Sequence, residues 1–151
     1  MTRVDSIRPG DALRVAALMR DSDREEIWAS HNLEPGIAVE SSIEQSTLSW
    51  AIRKGEYAIG VFGVGAEQVD SERGSPWLLA TDELTSITIR FLRQSRGCVR
   101  DMLAQHSFLE NWVDERNVTS IKWLKWCGFT LFDAEPHGVE QRPFCRFEMR
   151  R

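Results

Sequence analysis

Several features are scarce in this 151-residue chain: three cysteines, five prolines, a single tyrosine, no surplus of positive charge and no long apolar run. Cys98, Cys127 and Cys145 lie far apart, are odd in number and form no CxxC or Cys/His pattern. That argues against a disulfide framework and against zinc, leaves no metal site to expect and fits a reducing cytoplasm. No stretch approaches the ~20 apolar residues of a membrane span, and Met1-Thr-Arg-Val leads straight into structured-looking sequence rather than a secretory leader. A net charge of -4 excludes a generic nucleic-acid binder, which needs a concentrated basic surface. The one basic cluster, Arg90, Arg93, Arg96 and Arg100, reads as one solvated face of a helix. Internal repeats and low-complexity segments are lacking too.

What is present is the size and apolar content of one α/β domain over residues 1–151, with enough core to fold without disulfides or metal. Val4 and Ile7 suggest a first strand, and Pro9-Gly-Asp11 caps a helix over Ala12 to Arg20. Asp21 to Gly36 reads as irregular or weakly helical. Ser41-x-x-Glu44 is a capping box for a second helix, with Ile43, Leu48, Ala51 and Ile52 at helical spacing up to Gly55. Tyr57 to Val64 is a strand buried on both faces, Ala66 to Pro76 a loop, and Trp77 to Glu83 a strand breaking into two carboxylates. A long helix runs from Leu84 to about Gln105. Phe108–Val113, Phe129–Phe132 and Phe144–Met149 are strands, the last two separated by a loop with Pro136-His137-Gly138. Helices between strands imply crossovers, hence a mixed sheet with helices on both faces.

The most informative segment is Asn117-Val-Thr-Ser120-Ile-Lys-Trp123-Leu-Lys-Trp126-Cys-Gly128-Phe129. Asn117 can cap the first free amides of a helix, Ile121, Leu124 and Cys127 recur at three-residue intervals, and Gly128 supplies a left-handed stop. Trp123 and Trp126, three apart and flanked by Lys122 and Lys125, would form a protein-binding patch if the sheet leaves their shared face uncovered. The other four tryptophans mostly stand in apolar patterns, as core residues do. His31, His106 and His137 are isolated, with no nucleophile arranged beside them.

This segment resembles the last signature motif of the GNAT N-acetyltransferase superfamily, in which an asparagine opens a helix, a small residue follows three positions later and Gly-Phe closes it. The order of strands and helices matches that superfamily along nearly the whole chain. Pro76-Trp-Leu-Leu-Ala-Thr-Asp-Glu-Leu84, Arg90-Phe-Leu-Arg-Gln-Ser-Arg96, Asn111-x-Val-Asp114-x-x-Asn117 and Trp123 to Phe129 together resemble a narrower group, the GNAT-like internal virion or virion-morphogenesis proteins of short-tailed phages.

The resemblance implies a mixed central sheet of about six to seven strands and acetyl-CoA as cofactor. It implies that Leu79, Ala80 and Thr81 line the thioester groove and that Asn117 and Ser120 contact the pantetheine arm. Asp82 or Glu83 is the implied base, with Glu110 and Asp114 as further carboxylates able to serve. The family's pyrophosphate loop has its nearest match at Gln94-Ser-Arg96-Gly97-Cys-Val99, where the helical rhythm runs on through Gly97 and amides inside a helix cannot bind phosphate. The family's acid is a tyrosine seven residues after the asparagine, and Leu124 stands there instead; Tyr57, the only tyrosine, lies in a distant strand. Two functions therefore follow, the second being the favoured reading and the first its alternative: an active N-acetyltransferase acting on an amine, or a phage protein of virion morphogenesis or host interaction that keeps the fold with its catalytic parts incomplete. Either would work in the cytoplasm of a bacterial host, in the second case with a virion or host protein as partner.

Overall fold

The structure, a computed structural model, describes residues 2–85 and 89–151, apart from the side chains at positions 85 and 89. In chain order it runs β1 (Thr2–Asp5), α1 (Asp11–Ala17), α2 (Asp21–His31), α3 (Pro35–Glu44), β2 (Ser46–Lys54), β3 (Tyr57–Ala66) and β4 (Arg73–Ala80). A 3-10 turn (Asp82–Thr85) precedes α4 (Ile89–Gln105), β5 (Phe108–Asp114), α5 (Val118–Cys127), β6 (Thr130–Leu131), β7 (Glu135–His137) and β8 (Arg142–Arg150). Among the described residues the strands form one eight-stranded mixed sheet, ordered β1-β2-β3-β4-β5-β8-β6, with β7 also on β8. Every pairing between named strands is antiparallel except β4 with β5.

The two faces carry separate cores, and the two-residue period of a strand divides them. Ala51, Val61 and Leu79 pack with Val15 of α1, Met19 just beyond that helix and Val39 of α3. Their immediate neighbours Ile52, Phe62 and Ala80 pack on the opposite side with Phe91, Val99 and Met102 of α4 and Trp123 and Leu124 of α5. Such two-sided burial explains the near-continuous apolar run of β3.

Where the elements differ from expectation, the cause is tertiary. The helix expected from Ser41 to Gly55 is the end of α3 followed by β2. Pro35 opens α3, and the Ser41 hydroxyl donates back to Ile37 O inside it, so Ser41 is no cap. Leu48, Trp50 and Ile52 satisfy a strand's alternation as well as a helical spacing, and pairing to both β1 and β3 decides for the strand. Of the two readings of 21–36, irregular or weakly helical, the helical one holds over α2, closed by Asn32 in the left-handed conformation at φ 53°. β3 and β4 both reach into the expected 66–76 loop, and β7 occupies part of the expected loop around Pro136. The long helix is seen from Ile89; of its expected beginning at Leu84, residues 86–88 lie outside the described residues.

The Trp123–Trp126 patch does not form. Trp123 is buried edge-on to Phe62, donating its indole N–H to Ser95 Oγ at 3.1 Å, while Arg96 covers the ring of Trp126 at 3.9 Å. The caps of α5 are those read from sequence: the Ser120 amide donates to Asn117 Oδ1 at 3.4 Å, and Gly128 ends the helix at φ 101°.

Candidate functional site: a cleft through the sheet

β4 and β5 pair only at their starts, Arg73 with Phe108 and Gly74 with Leu109, and then part. Asn111 Nδ2 donates to Pro76 O at 2.8 Å, one last cross-link before the strands diverge. Beyond it lies a cleft of about 460 Å³ whose walls come from both faces of the sheet: Glu26, Ile27 and Trp77 on the α2–α3 side, Ser120, Trp123 and Leu124 on the α5 side. The opening therefore passes through the sheet.

The β4 edge facing this opening can be followed atom by atom. Thr81 donates its amide to Ile59 O on β3 at 2.9 Å, so the two-residue alternation turns the even positions of β4 away from β3. The far even position is occupied: Ala80 N donates to Asp23 Oδ2 and Ala80 O accepts from the Arg20 amide, both at 2.9 Å. Pro76 O is taken by Asn111. Between them, the N–H and C=O of Leu78 face the cleft without a strand partner among the described residues, an edge onto which an extended amide-bearing ligand could add.

Asp23 anchors the far end. Its carboxylate, 0% exposed, accepts from Arg20 Nε and Nη2 at 2.9 Å each, from Ala80 N and from Asn117 Nδ2 at 3.0 Å. Burial pushes the Asp23 carboxyl up from its ordinary value, and Arg20 pulls against it. Every partner is a donor, which leaves no acceptor for a carboxyl proton and favours the carboxylate. Arg20 Nη2 also donates to Ser120 Oγ at 3.2 Å, tying the first turn of α5 to α2.

One turn along α2, Glu26 lines the cleft without a salt bridge among the described residues, though the Arg20 charge acts on it weakly; Oε1 accepts the Asp114 amide at 2.7 Å. Burial, reinforced by the negative charge of Asp23, pushes its carboxyl up to about 8. A carboxyl balanced near neutral pH beside a cleft is suited to proton transfer. The sequence reading missed Glu26. The available signal was the acidic pair before Ile27-Trp28, but the burial that changes its chemistry comes from β5 packing beside α2.

Close by, the ring of His137 stacks on Trp112 at 4.0 Å with planes 10° apart, and burial lowers the His137 pKa. The β7–β8 turn brings it there: Val139 and Glu140 donate to Ser30 O and Ala29 O, closing the end of α2. Gly138, at φ 80°, makes the contact possible, because a Cβ there would sit 2.7 Å from Ser30 Cα.

Of the site residues expected from sequence, Leu79 and Ser120 line the cleft, Asn117 and Ala80 belong to the Asp23 network beside it, and Thr81 is buried with its hydroxyl on Ile59 O. Asp82 and Glu83 lie outside the cleft in the exposed 3-10 turn, where Glu83 pairs with Arg14 at 3.2 Å. Glu110 is held by Arg73 and Arg146. Asp114 is buried, but hydrogen bonds from Arg116 outweigh that burial and keep its pKa below the ordinary value, so it is a weak base. Gln94, Arg96 and Gly97 fall on α4 away from the cleft. Gln94 accepts from the Val4 amide, Arg96 donates to Trp126 O, and Gly97 sits mid-helix with its amide inside the ladder. His106 is buried between Ser71 O and Thr47 Oγ1, which accounts for both ring nitrogens. Among the described residues, no group of three or more His, Cys, Asp or Glu could hold a metal, and no helix is long and apolar enough to cross a membrane.

No protein-family profile and no curated protein matches this sequence. Solved structures do match in fold. Spermidine N-acetyltransferase from Vibrio cholerae, in complex with CoA and spermine, superposes with a TM-score of 0.66 at 13% identity, covering 99% of this chain and 95% of its own. A GNAT-family acetyltransferase from Bacillus anthracis gives 0.71 at 9% identity, covering 99% and 94%. An N-acetyltransferase from Staphylococcus aureus gives 0.70 at 11%, covering 99% and 98%. The architecture of this chain is the GNAT fold.

Proposed function

We propose that the protein is an N-acetyltransferase that moves acetyl from acetyl-CoA to an amine, with donor and acceptor meeting from opposite faces of the sheet. The observation that carries this reading is the through-sheet cleft with the open Leu78 edge on one strand and Glu26 in its wall. An extended pantetheine arm carries amides that match the free N–H and C=O of Leu78, so the cleft fits the cofactor's shape and donor pattern. Ser120, with Asn117 behind it, would flank that arm at the start of α5.

Bound acetyl-CoA would supply a thioester whose carbonyl carbon the amine nitrogen attacks; the C–N bond forms, the C–S bond breaks with its electron pair left on sulfur, and sulfur takes up one proton. Glu26, as the carboxylate, accepts the proton that the ammonium must lose to become a nucleophile. Ser120 Oγ accepts from Arg20 and keeps its own proton for a partner in the cleft, a hydrogen-bond donor where Leu124 offers none.

A thermal melt with acetyl-CoA, using ATP as control, tests the reading. Ligand at about 100 times its dissociation constant adds roughly 2.7 kcal/mol of stability. A selective upward shift, with CoA released in the presence of an amine, is expected; no shift at millimolar acetyl-CoA rejects it. The rival reading, a phage protein of virion morphogenesis or host interaction without catalysis, draws on Leu124 at the acid position and on the helix running through Gly97. The three acetyltransferase structures lend its virion element no support. Under that reading acetyl-CoA leaves the melt unchanged.

A further inference from the structure

The charge inventory of the cleft points to the acceptor, an inference that rests on the acetyl-transfer reading. Among the described residues Glu26 is the one carboxylate in the lining, which contains no lysine, no arginine and no aspartate; its two imidazoles are His31, exposed with Nδ1 on Ser30 Oγ at 2.8 Å, and His137, whose burial favours the neutral ring. The nearby guanidiniums are committed elsewhere: Arg20 to Asp23 and Ser120, Arg24 to carbonyls at the end of α1, Arg116 to Asp114. An acceptor bearing a carboxylate or phosphate would bring its charge beside Glu26 with no lysine or arginine in the lining to pair it, and an unpaired charge taken out of water is strongly disfavoured. A polyamine meets the converse problem, since its second ammonium finds no second carboxylate in the lining. A single cationic nitrogen is the charge that this cleft balances.

The rest of the α2–α3 side is suited to an uncharged body. Trp77, Trp112, Ile27 and Leu33 contribute apolar wall, and one face of the Trp112 ring is already covered by His137. We infer that the acceptor is a small monoamine with an uncharged apolar body, its nitrogen at Glu26 and its body against the indoles of Trp77 and Trp112.

The test uses the full chain and three probes: 2-phenylethylamine, phenylalanine, which adds a carboxylate to the same body, and spermidine, which multiplies the ammonium groups. Binding is read by calorimetry without acetyl-CoA, and acetylation by mass spectrometry with it. The expected result is that 2-phenylethylamine binds and is acetylated with at least about a tenfold preference over both others. Equal or better use of spermidine or phenylalanine overturns the inference, as does absence of 2-phenylethylamine binding at millimolar concentration. Leu33→Arg, which adds a cation to the wall, should shift the preference towards phenylalanine. The two readings fail separately: acetyl-CoA that stabilises the protein and reacts best with spermidine sinks the monoamine alone, whereas selective 2-phenylethylamine binding without any acetyl-CoA effect sinks the transferase alone.

Discussion

The two ends of the β4 edge are fastened by different chemistry. At its start the strand is joined to β5 by two ladder pairs and the neutral Asn111–Pro76 hydrogen bond. At its far end a fully buried aspartate, clamped by arginine, holds the Ala80 amide. The first fastening is ordinary sheet. The second uses a buried charge, so it is strong when complete and costly when broken. The opening between them is fixed at both ends, and Leu78 is left available by position rather than by flexibility.

Breaking the charged end should have the largest effect. Asp23→Ala leaves Arg20 buried without its partner and should cost about 3–5 kcal/mol, read as a fall in urea midpoint at unchanged slope. A loss below about 1 kcal/mol would mean that water replaces the carboxylate and that the anchor is weaker than its geometry.

Glu26→Gln touches neither fastening and, being neutral at every pH, should raise the urea midpoint near neutral pH while lowering kcat roughly 100-fold, within the range for loss of a general base. Glu83→Gln, altering an exposed partner of Arg14, should change kcat less than about twofold. If the two substitutions exchange these effects, Glu83 is the base.

Asn111→Ala tests the neutral end. Loss of one neutral hydrogen bond should cost about 1 kcal/mol and weaken acetyl-CoA binding more than its small stability loss accounts for, because the splay then begins lower on β4. Equal losses in both measurements would make Asn111 structural only.

A further effect is on pH dependence. Glu26 holds its proton in the folded state up to about 8, against an ordinary value of 4.5, so the folded chain binds more protons across that window. Its contribution is present below pH 4.5 and is lost as pH rises through 8, giving a falling melting temperature. Glu26→Gln should flatten that decline, and the wild-type kcat profile should rise towards a plateau above pH 8. A melting curve equally steep in the mutant would assign the slope to other groups.

How far the sequence can be read differs along the chain for physical reasons. α5 was legible because its caps are local: Asn117 and Gly128 act within one helical turn of the ends they close. The alternation of fold elements was legible because each buried strand and each one-sided helix has its own period. The α3–β2 boundary was not, since Leu48 to Ile52 fits both periods and only pairing with β1 and β3 selects one. The cleft was half legible. Leu79, Asn117 and Ser120 lie on elements with clear local signals, whereas Glu26 and Asp23 gain their chemistry from burial by β4, β5 and α5, and no local pattern encodes that burial.

Gly138 offers a remote adjustment of this cleft. A methyl group at that position would collide with the backbone of Ser30, so the β7–β8 turn would have to lift away from α2 and carry the His137–Trp112 stack with it. The bore of the cleft on its α2 side is thus gauged by a residue outside its lining, and Gly138→Ala would re-size that entrance while leaving every cleft side chain in the sequence unchanged.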